Sequence, residues 1–211
     1  ASVANNEKNK DKFLHLDKLK IPVVLFDRFY SGDKFSRIVV NNFQGAFDAT
    51  QYLIKSGKKN IAFYAGQETN PVFLERYNGY KKALDQRGFS CNEKLVYYGG
   101  IGIEDGKKLI YTIIKNKQNV DAILCVVDMV ALGVIAGSRE LGIEIPDDIA
   151  LIGFDNEPAG RIIRPDLTTV AQPVEKIGST AFELLVSKIN RSKNRQNNIL
   201  LPMELIKRTS A

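Results

Sequence analysis

From about residue 20 the chain alternates short apolar runs with amphipathic stretches. Ile21-Pro22-Val23-Val24-Leu25-Phe26 predicts a buried strand. Phe43, Ala46, Phe47, Leu53 and Ile54 then recur at helical spacing, and Gly57 supplies the residue that ends such a helix. Residues 60–64 predict a second strand, stopping at Ala65-Gly66. Phe73, Tyr77, Tyr80 and Leu84 mark a helix that ends at Gly88. Residues 95–98 form a short strand, and Ile103, Leu109, Ile110, Ile113 and Ile114 line one side of the next helix. Residues 121–127 read as a strand, with Asp128 placed to cap a helix carrying Leu132 and Ile135 and closed by Gly142. Residues 149–154 are wholly apolar apart from Gly153. Val174, Ile177, Ala181, Leu184 and Leu185 build a last long helix. A polar Lys/Asn-rich loop over 190–198 leads to a final strand at 199–203.

Strands and helices alternating at this spacing imply βαβ units: an α/β fold with mostly parallel sheets and helices on both faces. Ligands in such folds bind beyond the carboxyl ends of the strands. That rule singles out Asp27, Gly66, Asp128 and Asp155, each at or just after a strand end.

Composition narrows the chemistry. The 211 residues are 44% hydrophobic and 26% charged, ordinary for a globular protein with a real core. No apolar run approaches the roughly 20 residues a membrane-crossing helix needs. The net charge of +6 is scattered in short clusters such as Lys58-Lys59 and Lys107-Lys108 and reads as solvated surface. Cys91 and Cys125 are the only cysteines, which suits a reducing, cytoplasmic setting. His15 is the only histidine and lies in a Lys-rich leader, so His-based nucleophilic triads and zinc sites of the HExxH type find no residues. The opening residues are polar and carry no signal-peptide pattern, and a start at Ala1 suggests a trimmed chain. The stretch 99–106 is glycine-rich, but Asp105 stands where GxGxxG requires its third glycine. Lys108 replaces the Ser/Thr of a P-loop, so a loop between strand and helix is expected there. No cofactor or metal is implied.

The block at 121–133, DAILCVVDMVALG, resembles the corresponding block of the lac-repressor (LacI/GalR) family of bacterial transcription regulators. IPDDIALIGFDN at 145–156 and PDLTTVAQP at 165–173 are similar to two more blocks of that family. Further matches are IPVVLFDR at 21–28, GKKNIAF at 57–63, RYNGY at 76–80 and LPMELIKR at 201–208, all in family order. The resemblance implies a type I periplasmic-binding-protein fold, with two α/β lobes joined by three crossovers and a small molecule bound between them. The crossovers would fall near Val40-Asn41, Gln172-Pro173 and Leu201-Pro202. Residues 1–40 with 173–200 would then form an N-terminal lobe lacking its first elements and exposing apolar surface. Residues 41–172 with 201–211 would form a complete C-terminal lobe. The helix-turn-helix head of the family is absent from this sequence, so operator DNA would be contacted only through that missing head.

The resemblance also assigns roles. Arg76 would hold the effector through its planar fork, against the alternative of a surface ion pair with Glu75 or Asp85. Asp155 would accept hydroxyl hydrogen bonds, or else serve as a turn residue before Pro158. Gln172 would reach the effector from a crossover. Asp27, Asn70 and Asp128 complete the expected effector-binding set, with Val72 beside Asn70 and with Phe29 and Phe73 as possible stacking surfaces. Val127 departs from the polar residue that sugar-responsive members often carry. The implied function is non-enzymatic: effector binding and homodimerisation in a LacI-type regulator, with a sugar as the favoured effector. A periplasmic-type sugar receptor is the alternative, and a small α/β enzyme is disfavoured by the lack of a nucleophile–base pair.

Overall fold

The computed structural model describes residues 7–27, 35–68, 70–190 and 198–211. The chain forms two compact units, Ala1–Asn41 with Pro173–Pro202, and Asn42–Gln172 with Met203–Ala211. It passes from one unit to the other three times.

The first unit contains helix α1 (Glu7–Lys18), strands β1 (Val24–Phe26) and β2 (Ser36–Val40), helix α6 (Val174–Ile189) and strand β8 (Asn198–Leu201). Its strands are parallel, in the order β1-β2-β8. Leu25 and Phe35 are buried, with Phe13 of α1 packed edge-on to Phe35. Ile177 and Leu184 face inward from α6, whereas Phe182 and Ile189 stand 68% and 59% exposed. The lone histidine lies in the last turn of α1, a helix the apolar pattern did not announce because its residues are mostly charged.

The second unit carries helices α2 (Asn42–Lys55), α3 (Pro71–Asp85), α4 (Ile103–Lys115) and α5 (Asp128–Leu141). Its strands are β3 (Ile61–Gly66), β4 (Val96–Tyr98), β5 (Ala122–Cys125), β6 (Ala150–Phe154), β7 (Thr168–Ala171) and β9 (Glu204–Ile206). They lie in the order β4-β3-β5-β6-β7-β9, parallel except for β9, which runs antiparallel to β7.

Side chains alternate across each strand, and the two faces are filled by different helices. Ala62, Tyr64, Ile123, Cys125 and Leu151 pack with Leu109, Ile110 and Ile113 of α4 and with Val130 to Ile135 of α5. Ile61, Phe63, Leu124, Ile152 and Phe154 pack with Ala46, Ala49 and Leu53 of α2 and with Phe73, Tyr80 and Leu84 of α3. Helices thus cover both faces, as the continuous apolar strands require. α4 and α5 approach backbone to backbone: a Cβ on Gly106 would lie 1.9 Å from the Val130 carbonyl oxygen, and one on Gly133 2.0 Å from that of Ile103.

Several boundaries differ from the sequence expectations for local reasons. The first strand begins at Val24 rather than Ile21, because Pro22 has no N–H to give a ladder. The segment read as one strand over 199–203 is split at Pro202 between β8 and β9, which belong to different units. β2, β7 and β9 were not anticipated as strands. Of the 99–106 stretch, 99–102 is a strand-to-helix loop and 103–106 the first turn of α4, where the Asp105 carboxylate accepts from the Gly102 N–H at 3.0 Å. Most of the polar loop at 190–198, and Phe29, lie outside the described residues.

Candidate functional site

In the second unit the carboxyl ends of the parallel strands gather a small set of polar side chains. α3 is fixed at its start by two local devices. Pro71 takes the first helical position, where its missing N–H costs nothing. Asn70 precedes it, and its Oδ1 accepts from the Val72 N–H at 3.0 Å. Arg76 follows in the second turn. It is 3% exposed, and among the described residues its guanidinium meets Asn42, Val126, Asp155 and Phe154. Nε donates to Asn42 Oδ1 at 2.9 Å, and Nη1 donates to the Val126 carbonyl at the end of β5. Nη2 lies 3.6 Å from Asp155 Oδ1. The guanidinium carbon sits 4.1 Å from the centroid of the Phe154 ring, a cation–π contact. The surface ion pair with Glu75 or Asp85 weighed from sequence does not form.

Asp155 is the first residue after β6. Its side chain is 24% exposed, the open end of an otherwise buried ion pair. Gln172 Nε2 donates to its Oδ1 at 2.6 Å. Oδ2 accepts no hydrogen bond from the described residues. Asp155 and Asn156 both hold positive φ, 106° and 56°. Such a conformation is unfavourable for residues with a Cβ and persists only where the surroundings enforce it.

Asp128 behaves differently from the expectation. It does not cap α5: Val127 occupies the cap position without a side-chain hydrogen bond, and Asp128 lies within the first turn. Nor does it offer a surface to a ligand, since it is 0% exposed with both oxygens engaged. Oδ1 accepts from Thr169 Oγ1 at 2.7 Å and Oδ2 from the Glu157 N–H at 2.7 Å. Burial pushes its carboxyl up to about 7, helped by the negative charges of Asp155 and Glu157 and opposed by those two hydrogen bonds.

The structure therefore brings together Arg76, Asp155 and Gln172, with Asn70 at the start of the helix that carries Arg76. Asp27 belongs to the first unit, where it follows β1 half-buried at φ 66° with its N–H on the Ile38 carbonyl at 3.2 Å. Phe73 is buried against Gly66 rather than displayed as a stacking face. Asn42, Phe154 and Thr169 complete the arrangement and were not singled out from sequence. Phe154 reads there only as a core strand residue, and no pattern marks Asn42. A cavity of about 100 Å³ opens beside α3, lined by Ala65, Gln67, Glu68, Phe73, Leu74, Tyr77 and Tyr98. It touches none of the four and falls below the roughly 300 Å³ of small-molecule pockets. Among the described residues, no group of three or more His, Cys, Asp and Glu is placed to hold a metal ion.

The sequence pattern of the periplasmic binding protein-like domain matches residues 50–211. The chain belongs to the periplasmic binding protein-like domain family. Within that family its relatives are LacI-type regulators. Catabolite control protein A of Priestia megaterium is 34% identical over 192 residues, 89% of this chain and 58% of that protein. A LacI-family regulatory protein from Chloroflexus aggregans superposes with a TM-score of 0.90 at 30% identity, over 99% of this chain and 74% of its own. A transcriptional regulator CelR–cellobiose complex matches with a TM-score of 0.89 at 27% identity, over all of this chain and 64% of its own. The chain thus spans a little over half the length of the curated relatives it matches. No helix among the described residues is long and apolar enough to cross a membrane.

Proposed function

We propose that this chain is the effector-binding and dimerisation region of a cytoplasmic LacI-type transcriptional regulator, and that its second unit holds a sugar through Asp155, Arg76 and Gln172. One observation carries the reading. A carboxylate with one oxygen unengaged among the described residues, and with a partly open face, sits at the end of a parallel sheet, backed by a buried arginine and a glutamine. A carboxylate so placed accepts hydrogen bonds from vicinal hydroxyls without moving, and preorganised acceptors cost little ordering on binding. Asn70, in the same unit, is proposed as a further contact. Asp128, with no exposed surface, is not.

In the intact regulator, effector binding would shift the population of the form that grips operator DNA through a helix-turn-helix head. No bond is made or broken. The naming of the relatives as regulators favours this over a periplasmic sugar receptor, and the cellobiose complex of a structural neighbour supports a saccharide as effector.

The test is calorimetric titration of the purified chain with cellobiose, then with a panel of mono- and disaccharides. Binding of one of them, abolished by Asp155→Ala, is the expected result. A panel without any binder, or binding that Asp155→Ala leaves unchanged, would overturn the assignment.

A further inference from the structure

Two successive non-glycine residues at positive φ, Asp155 and Asn156, need a cause. Local sequence does not provide one, since neither is glycine. The cause lies on two neighbouring elements. Thr169 Oγ1 on β7 accepts from the Asn156 N–H at 3.2 Å and donates to Asp128 Oδ1 at 2.7 Å. Asp128 Oδ2 on α5 accepts from the Glu157 N–H at 2.7 Å. Consecutive amides of the strained turn are thus held by one buried carboxylate, one directly and one through a hydroxyl. On the far side Arg208 donates to Asn156 Oδ1 and to the Leu167 carbonyl. The fold also makes room for this carboxylate. A Cβ on Gly153 would lie 2.1 Å from Asp128 Oδ1, so the strand just before the turn is glycine where the carboxylate passes.

We infer that Asp128, acting with Thr169, is the positioning residue of the candidate site: it clamps the 155–157 turn and thereby aims the Asp155 carboxylate at its ligand. Its oxygens are the only side-chain acceptors that the Glu157 N–H and the Thr169 hydroxyl meet among the described residues. A buried carboxylate receiving two donors favours one geometry strongly, because either donor left unpaired would incur its full desolvation penalty. The ligand contact is made by Asp155; Asp128 acts on it through the backbone. The functional part of this inference rests on the reading of Asp155 as an effector contact.

The experiment separates the two. Amide hydrogen exchange, resolved by residue in the full chain, is compared for the native protein, Thr169→Val, Thr169→Ser and Asp128→Asn. Valine matches threonine in shape but has no hydroxyl, and serine restores it, so the pair tests the relay even if Asp128→Asn folds poorly. The expected result is about tenfold faster exchange at Asn156 in Thr169→Val, the size of the hydrogen bond its N–H loses, with a smaller acceleration at Glu157 as Asp128 loses its second donor. Central sheet amides such as Leu124 and Ile152 should keep their protection, and serine should restore the native pattern. Unchanged exchange at 156–157, or an acceleration spread evenly over the sheet, overturns the clamp. Cellobiose titration of the same variants is a separate readout. If the clamp signature appears and no saccharide binds any variant, the sugar reading fails while the clamp stands.

Discussion

Gln172 donates at 2.6 Å to the same carboxylate oxygen, Asp155 Oδ1, that lies 3.6 Å from the Arg76 guanidinium. One hydrogen-bond donor and one cation therefore converge on one oxygen, and the other accepts no hydrogen bond among the described residues. This is an asymmetric use of a carboxylate, and it makes the three residues a unit whose removal one at a time should give different results.

Gln172→Ala removes an orienting donor and should weaken saccharide binding by about tenfold with little change in stability. Asp155→Ala removes a carboxylate that lies within ion-pair distance of buried Arg76. It should abolish binding and also destabilise, by about 1–3 kcal/mol, less than for a wholly buried pair because Asp155 is partly open to water. Calorimetry and urea unfolding on both variants read the two effects. Equal destabilisation by both substitutions would mean that the triad is structural.

How much of this was legible in the sequence depends on the range of the interaction. Helix and strand identities followed from apolar spacing, and Asp155 and Arg76 stood out through the family blocks around them. The exceptions share a cause. Asp128 reads as a cap because an acidic residue at a strand-to-helix junction usually is one. Its true partners, Thr169 and Glu157, are 41 and 29 residues away, and only the lateral order β5-β6-β7 brings them near. Asn42 meets Arg76 across 34 residues in the same way. The strands β2 and β7 carry no plain apolar run: β2 alternates buried and half-buried positions over five residues, and β7 opens on Thr168 and Thr169, polar residues that only the tertiary structure buries.

Asp128 should also shape the pH dependence of stability. Its carboxyl sits at about 7 in the folded chain against an ordinary value near 4 when unfolded. Between those two values the unfolded state has released the proton and the folded state retains it, so the folded state is the one that binds more protons. Stability should therefore fall as pH rises from about 4 to about 7, by at most about 1.4 kcal/mol per unit from this group, and level off above. The charged groups around the carboxyl are Asp155 and Glu157 from the turn and Arg208 from the C-terminal segment, with the Cys125 thiol at the end of β5. Urea unfolding at a series of pH values, repeated on Asp128→Asn, tests this. The variant should lose that part of the slope, and an identical slope in both proteins would assign it elsewhere.

The α4–α5 contact predicts a stability effect remote from the site. Gly133→Ala places a methyl carbon 2.0 Å from the Ile103 carbonyl oxygen, a backbone atom that cannot rotate away. The two helices must separate, at about 1–3 kcal/mol for overpacking, which outweighs the gain in helix propensity of about 1 kcal/mol from replacing a mid-helix glycine. Urea unfolding should show net destabilisation, with saccharide binding by the folded fraction intact. A more stable Gly133→Ala protein would mean that this contact is looser than the geometry shows.

Asn70 has two possible roles that one pair of substitutions separates. Its Oδ1 caps α3 by accepting from Val72, the helix that carries Arg76. Asn70→Ser retains a capping oxygen on a shorter side chain, whereas Asn70→Ala removes it at about 1 kcal/mol. If capping is its whole contribution, the serine variant keeps both stability and saccharide affinity, and the alanine variant loses stability alone. If Asn70 also reaches the effector, its amide N–H₂ is the group a sugar hydroxyl would meet, and serine cannot replace that reach. Asn70→Ser would then unfold like the native chain yet bind more weakly. The proposed contact at Asn70 requires this second pattern, and thermal unfolding beside calorimetry on the two variants distinguishes it from the first.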